Sequence, residues 1–390
     1  MRPSSTQSAG VADRLISLGS GLAQIPERLL LAHARGQVLF IVGAGVSRQA
    51  GLPDFRGLVL DVYKIVDTAV HSVIANGTPV QNLKHSQEAE IDRFYKKDFD
   101  VALGMLERRM ERPHAKSKVR NAVATVLLSA VKSAPIHRAI LSLSDRGGTT
   151  AVVTTNFELL LQHAARTLRQ KVATYSLGGI PRPGRTESFA GILHIHGALE
   201  ASPASSSELV LTDQDFGEYY LRRRVVPDFI YDAARLFNLV LVGYSADDPP
   251  MRYLLNAVAA DGTRFDDIKE RFIFWGESAP DPVAIEDWKA RGITPIAYDS
   301  VNDHAVLLAT LQRWAELSAI NGNQNRIDAE IKRIVKTKRG ISTDADSDLF
   351  DHLIRRSNPS ERIRLSALAS RHNADIDWLT AIIAISKEPK

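Results

Sequence analysis

Four short clusters carry the residue types and spacing of a reactive site, and each one follows an apolar run. Gly43-Ala44-Gly45, with Ser47 two residues on, follows Val38-Leu-Phe-Ile-Val42. Asn156 and Glu158 follow Ala151-Val-Val-Thr-Thr155, His196-Gly197 closes a run that starts at Gly191, and Gly243-Tyr244-Ser245 follows Leu239-Val-Leu-Val242. Two glycines around an alanine let the backbone turn sharply and keep side chains away from a ligand. With Ser47 where a helix would start, free N–H groups and the helix dipole converge on one point, which makes an anion site. Its natural guest is the pyrophosphate of a dinucleotide. The amide of Asn156 both donates and accepts, and an imidazole such as His196 titrates near neutral pH.

These clusters need a scaffold that brings strand ends together. Val38 to Val42 is continuously apolar and rich in β-branched residues, as in a central strand of a parallel sheet buried on both faces. Leu239 to Gly243 is equally apolar, and Ala151–Thr155, Val172–Tyr175, Gly191–Gly197, Arg271–Trp275 and Ile293–Tyr298 read as further strands. Ile25 to Ala34 reads as a short helix with Pro26 in its first turn. About Leu58 to Ser144 is helical in pattern, with Val62, Ile65, Val66, Ala69 and Val70 at helical spacing. His304 to Ile320 reads as a closing amphipathic helix. Strands alternating with helices predict a doubly wound parallel α/β domain, Rossmann-like, with a helical insertion. In such a sheet ligands bind beyond the carboxyl ends of the strands, where all four clusters fall.

The spacing after Gly43-x-Gly45 is not the G-x-G-x-x-G of an ordinary dinucleotide fold, because the next glycine is Gly51. The string Gly43-Ala-Gly-Val-Ser-Arg-Gln-Ala-Gly-Leu-Pro-Asp-Phe-Arg56 instead resembles the first motif of the sirtuin family, with Leu52 in place of Ile. Thr155-Asn156-Phe157-Glu158 is similar to the family's Gln-Asn-Ile-Asp, His196-Gly197 to its catalytic His-Gly, and Gly243-Tyr244-Ser245 to its Gly-x-Ser. The continuation to Asp248, Pro249 and Arg252 resembles the bacterial sirtuin-like proteins of anti-phage defence, including the HerA-associated type, more than protein deacylases.

The resemblance implies an NAD site. Asn156 and His196 would be catalytic, Asn156 binding the ribose and a water and His196 acting as general base. Ala44, Gly45 and Ser47 would hold the pyrophosphate, with Gly43 beside them among the cofactor-binding residues. Asp54, Phe55 and Arg56 would close over the nicotinamide, and Glu158, Gly243, Tyr244 and Ser245 would complete the NAD contacts. Glu158 stands where the family has Asp, and its extra methylene would move its contact with the ribose. The implied reaction is an NAD glycohydrolase reaction releasing nicotinamide and ADP-ribose, with NAD as substrate and no metal. An NAD-dependent protein deacylase and a non-catalytic NAD or ADP-ribose sensor are the alternatives. Peptide deacylases of the family generally carry a four-cysteine zinc module, and this chain has no cysteine.

Composition narrows the field further. The chain has 390 residues, is 44% hydrophobic and 24% charged, and carries a formal charge of +4. These are values of an ordinary soluble protein large enough for more than one domain. A pI near 9.1 permits an acidic partner without arguing for one. The absence of cysteine excludes disulfides and thiol catalysis. No apolar run spans a bilayer, and Met1 to Gly10 has no signal pattern, so a cytoplasmic protein with no membrane partner is expected. We expect a lead-in over 1–35, a sirtuin-like domain over 36–320 with the insertion at about 58–144, and a C-terminal helical module over 321–390. In that module Gly340 to Ser347 reads as a linker, Ser357-Asn-Pro-Ser360 starts one helix, and Asn373 or Asp375 caps another.

Plainer roles stand beside these. His194 and His196 alternate on one strand and fit a metal pair, but no third ligand is evident, so His194 reads as packing or as support for His196. Asp247 and Asp248 fit a helix N-cap. The C-terminal helix pair has a helix-turn-helix shape that would suit DNA, but docking or homo-oligomer assembly is the commoner use of such a pair. By resemblance, a partner such as a HerA-type ATPase or a short Argonaute protein is expected. The chain has no Walker A sequence of its own, so any ATPase would be a separate protein.

Overall fold

In the computed structural model, residues 13–110, 117–129, 132–168, 171–183, 189–199, 208–244, 268–279 and 281–388 are described. An antiparallel hairpin of β1 (Leu15–Ser17) and β2 (Gln24–Pro26) leads into α1 (Glu27–Ala34). The main sheet comprises β3 (Val38–Val42), β4 (Ala151–Thr154), β5 (Ala173–Tyr175), β6 (Gly191–His194), β7 (Asn238–Val242), β8 (Arg271–Glu277) and β9 (Thr294–Asp299). Its seven strands are all parallel and run in the order β5-β6-β4-β3-β7-β8-β9. The chain builds outward from β3 in one direction through β4 and β6, then returns to lay β7 on the other side of β3. The order therefore reverses between β3 and β7, the crevice where open α/β sheets take their ligands.

The apolar runs explain why these strands are central. In β3, Val38, Phe40 and Val42 face one core, and Leu39 and Ile41 face the other. In β7, Val240 and Val242 take the first side and Leu239 and Leu241 the second. Both faces are covered, which a two-residue side-chain period with no polar positions requires.

The helical insertion consists of α2 (Phe55–Val66), α3 (Thr68–Asn76), α4 (His85–Tyr95), α5 (Phe99–Met110) and α6 (Lys118–Leu127), packed on a core that includes Val62, Tyr63, Phe94, Phe99, Leu103 and Val123 and reaches Phe157, Leu160 and Leu209 of the sheet domain. The next helix, α7 (Pro135–Ser144), lies within the span expected for the insertion but belongs to the sheet layer: Ile136, Ala139, Ile140 and Leu143 pack in the core with Phe40 and Val152. The insertion also starts three residues earlier than expected, because Asp54 accepts from the Gly57 N–H at 2.7 Å and caps α2. Asp54-Phe55-Arg56, expected to close over the nicotinamide, is thus the start of a helix.

The remaining elements are α8 (Leu160–Thr167), α9 (Asp213–Phe216), a π-helical turn over Gly217–Arg222, α10 (Val225–Leu236), α11 (Pro282–Ala290) and α12 (Val301–Leu317). Four C-terminal helices follow: α13 (Gln324–Ile334), α14 (Asp344–Arg355), α15 (Pro359–Arg371) and α16 (Ile376–Ser386). Asn358 caps α15 and Asp375 caps α16, on the caps read from the sequence. The expected linker at 340–347 is different. Thr343 accepts from the Asp346 N–H, and Asp344 and Asp346 sit in the first turn, so the acidic run starts α14. These helices share one core with the sheet, since Ile331, Phe350, Leu353 and Trp378 pack in the same cluster as Leu29 and Trp314. Among the described residues no helix is long and apolar enough to cross a membrane.

Candidate active site

The loops after β3 and β7 interlock at the crevice. Gly43 N–H donates to Val242 O at 2.8 Å, and Gly45 N–H donates to Gly243 O at 2.9 Å. A Cβ on Gly43 would stand 2.7 Å from Gly243 O, and one on Gly45 would stand 2.9 Å from the same oxygen. Gly243 itself has φ +77, and a Cβ there would meet Val46 N at 2.7 Å. These glycines are thus needed for two backbones to touch, besides any use for a ligand. After the turn the chain forms a short 3-10 helix, Ala44–Ala50, so the helix starts ahead of Ser47 and not at it.

Asn156 is held from several sides. Its Nδ2 donates to Gly43 O at 3.2 Å, Ser47 Oγ at 3.2 Å and Glu158 Oε1 at 3.1 Å, and its N–H donates to Thr154 Oγ1 at 3.0 Å. The Ser47 hydroxyl donates to Glu158 Oε1. Ser47, expected at an anion, is 3% exposed with its hydroxyl turned to that carboxyl. Burial pushes the Glu158 carboxyl up to about 7, against the bonds from Ser47 and Asn156 that favour its charged form. Beneath Ser47 lies His137, 1% exposed, with Nε2 at 3.5 Å from Ser47 Oγ and Nδ1 accepting from the Ala134 N–H at 3.1 Å.

The two histidines after β6 do different things. β6 ends at His194, and His196 lies beyond it. His194 Nδ1 donates to Asn156 O at 2.7 Å while its Nε2 accepts from Gln162 Nε2 at 2.7 Å, so His194 supports Asn156 and not His196. His196 Nε2 lies 2.5 Å from Tyr220 Oη. Burial holds both rings neutral, lowering His194 to about 4 and His196 to about 3, so His196 does not titrate near neutral pH as its residue type suggests and stands as a weak, neutral base.

Two adjoining clefts open onto these residues. The first spans about 670 Å³ of space, open solvent included, and brings Ser47, Asn156, Glu158 and His196 together under apolar walls from Leu52, Phe55, Leu127 and Phe216. The second spans about 1430 Å³ of space, open solvent included, and is lined by Gly45, Gly243, Tyr244, Arg48, Arg56 and, from the far strands, Trp275 and Tyr298. Ala44, Asp54 and Phe55 line both and so form the divide. Tyr244 Oη donates to Val42 O at 3.1 Å and meets Thr155 Oγ1 at 3.1 Å, which pins its ring at the junction. The Arg56 guanidinium stacks over the Phe94 ring at 5.3 Å. Ser245, with Asp247, Asp248 and Arg252, lies outside the described residues. Among the described residues no group of three or more His, Asp or Glu is placed to hold a metal.

Sequence reasoning overlooked Arg48, His137, Phe216, Tyr220, Trp275, Tyr298 and His304 as parts of this region. Tyr220 lies in a segment rich in Tyr and Arg, with Tyr219 before it and Arg222, Arg223 and Arg224 after it. His304 lies at the start of α12 in a left-handed stretch, φ 59, where its Nδ1 meets Tyr298 Oη at 2.9 Å. No local pattern signals either arrangement.

Residues 150–296 match the family model described as a SIR2-like domain, a stretch that runs from β4 to the middle of β9 and includes Asn156, Glu158 and His196. Among curated proteins, the chain is 33% identical over 353 residues to "Uncharacterized protein y4cA" of Sinorhizobium fredii (strain NBRC 101917 / NGR234). That alignment takes in 85% of this chain and 28% of the relative, so the chain spans little more than a quarter of that protein's length. Among solved structures, a chain from a study of the mechanism and regulation of Sir2 enzymes aligns at 14% identity with a TM-score of 0.36, over 75% of this chain and 99% of the other. A Sir2 homologue in complex with NAD aligns at 15% identity with a TM-score of 0.36, over 77% and 98%.

Proposed function

We propose that the chain is an NAD glycohydrolase that splits NAD into nicotinamide and ADP-ribose. The observation that carries this reading is that Asn156, Glu158 and His196 line one apolar-walled cleft continuous, past Ala44 and Phe55, with a larger cleft at the β3–β7 crevice. NAD is long and two-ended, and a pair of joined clefts suits it. In the larger one, Arg48 and Arg56 offer positive charge for the pyrophosphate. Trp275 lends an indole to the lining, and an indole suits stacking by a nucleobase.

The reaction breaks the bond between C1′ of the ribose and the nicotinamide nitrogen. The bonding pair leaves with the nicotinamide and neutralises its ring, and the sugar becomes cationic at C1′. Asn156 holds the ribose and a water, the water oxygen bonds to C1′, and His196 takes the water proton. Glu158 supplies negative charge near the cationic sugar when ionised. Phe55 and the other apolar walls keep bulk water from the nicotinamide end.

We further propose that the activity serves anti-phage defence by depleting NAD in the cytoplasm, in a homo-oligomer or with a separate partner protein such as a HerA-type ATPase. In this reading, residues 36–320 form the catalytic unit, 1–35 lead into it, and the helices after about Asn321 dock the partner or a second copy. The resemblance of the Gly243–Arg252 string supports this extension. The test is NAD consumption by the purified chain, resolved by chromatography, with and without an acetylated peptide. Nicotinamide and ADP-ribose released without peptide, and lost in His196→Ala and Asn156→Ala, support the hydrolase. Turnover that needs peptide and yields O-acetyl-ADP-ribose replaces it with a deacylase, and undiminished NAD loss in both variants refutes the site.

A further inference from the structure

His196 is enclosed by aromatic rings from a single segment. Phe216 stands edge-on at 5.8 Å and 84°, and Tyr220 at 5.8 Å and 61°, with 5.3 Å between the two. His196 and Phe216 line the cleft. Tyr220, 8% exposed, packs in the core with Ile195, Val210 and Phe229, and its hydroxyl is 2.5 Å from His196 Nε2. Hydrogen bonds that short and that buried orient a ring firmly.

The segment is built for the contact. Gly217–Arg222 is a π-helical turn, and the Arg223 N–H reaches back five residues to Glu218 O at 2.8 Å. A π-turn holds one more residue than an α-turn of the same span, and such turns gather at functional sites. The turn ends at Arg224 in the left-handed region, φ 55. Ahead of it, Asp215 fixes the segment by accepting from the Leu211 and Thr212 N–H groups at 3.1 and 2.8 Å and from Arg120 at 2.8 Å.

We propose that Tyr220 is the positioning residue of His196: by engaging Nε2 it fixes the ring and assigns Nδ1 as the nitrogen that serves the reaction. An imidazole that donates from Nε2 to the phenol oxygen keeps its lone pair on Nδ1, the form a general base needs. After Nδ1 takes a proton, the Nε2–H bond to Tyr220 persists, so the ring does not turn away. The role rests on the reading of His196 as the base.

The test uses Tyr220→Phe, which keeps the ring and removes only the hydroxyl, in the full chain labelled with ¹⁵N-histidine; His196→Gln assigns the His196 signals. The wild type is expected to show a single Nε2–H tautomer for His196, and Tyr220→Phe a mixture or the reverse tautomer. For NAD, kcat is expected to fall at least about tenfold in Tyr220→Phe, with KM within about twofold. An unchanged tautomer, or an unchanged kcat in a variant with altered tautomer, overturns the proposal. Should the wild type fail to turn over NAD, the hydrolase reading fails on that result, and the tautomer measurement still decides whether Tyr220 sets the ring.

Discussion

Ser47 lies in the turn after β3 and Glu158 just beyond the end of the neighbouring β4, and the hydroxyl of Ser47 donates to the Glu158 carboxyl in the lining of the cleft. The pair is sealed by Asn156 above and His137 below. Burial dominates the titration of Glu158 and raises it from 4.5 to about 7. Between those values the folded chain keeps a proton that the unfolded chain has released, so Glu158 lowers stability as pH rises through this window, and the loss levels off above it. Glu158→Gln has no proton to release. Denaturant melts at a series of pH values should show the variant gaining stability relative to the wild type from about pH 4.5 to 7, with a constant gap beyond. If the carboxylate stabilises the sugar cation, nicotinamide release by the wild type rises through about pH 7, and the variant's rate is low and flat across the same range.

The glycine interlock yields a second prediction. Gly243→Ala forces an alanine into φ +77 and sets its Cβ against Val46 N. The left-handed backbone and the overpacking together cost on the order of 3 kcal/mol. Gly43→Ala, whose backbone is in the extended region at φ −107, suffers only the clash with Gly243 O and the Tyr244 ring. Gly243→Ala should therefore lower the unfolding midpoint more than Gly43→Ala, and both should weaken NAD binding by calorimetry because the β3 and β7 loops are pushed apart. Equal destabilisation by the two would show that the left-handed backbone contributes nothing.

Much of this arrangement is legible from sequence because it is local. The strand at Val38–Val42 is a run of five apolar residues, its partner at Leu239–Val242 is equally plain, and Asn358 and Asp375 announce their helices. Asn156 and His196 fall where strands end, and the fold brings both to one cleft. What is not legible depends on contacts across the chain. Glu158 meets Ser47 over a separation of 111 residues. Tyr220 finds His196 only because an irregular π-turn aims it, and propensity has no preference for such a turn. His194 looked like a companion of His196 on a strand period, but β6 stops at His194 and the period stops with it. At 340–347 the charges read as a linker, yet they are capping and dipole interactions of a helix whose apolar face, Leu349, Phe350 and Leu353, lies just downstream.

Arg120 links the helical insertion to the segment that carries Tyr220. It donates to Asp215 at 2.8 Å, to Glu107 at 2.9 Å and to Leu209 O at 3.0 Å, with a side chain only 12% exposed. Arg120→Ala leaves Asp215 and Glu107 partly buried without their cation, which costs about 3 kcal/mol. Arg120→Lys keeps the charge but cannot serve three acceptors in a planar fork. Protection of the Gly217–Arg222 amides, read by hydrogen exchange, should fall in both variants, and more in Arg120→Ala. Nicotinamide release should fall in parallel. Loss of protection with full activity would separate the Tyr220 segment from the chemistry.

The insertion has an ionic centre of its own, and its failure should reach the cleft by packing. Arg109 donates to Glu90 at 2.7 and 2.9 Å and to Asp67 at 2.6 Å, and the Tyr63 hydroxyl donates to Glu90 at 3.1 Å. Glu90 is fully buried. Such a cluster contributes little net stability when intact, because desolvation offsets attraction, but removing one member strands the others. Arg109→Ala should therefore cost about 3–5 kcal/mol, whereas Arg109→Ala with Glu90→Leu, which also removes the stranded charge, should recover much of it. The same module supplies Phe55 and Leu58 to the cleft wall and packs Phe55 on Phe99 at 6.2 Å. Loosening it should raise KM for NAD before the sheet itself melts, so two thermal transitions are expected in Arg109→Ala and one in the wild type. A single transition in both, with KM unchanged, would show that the insertion and the sheet unfold as one unit and that the ionic centre does not govern the cleft.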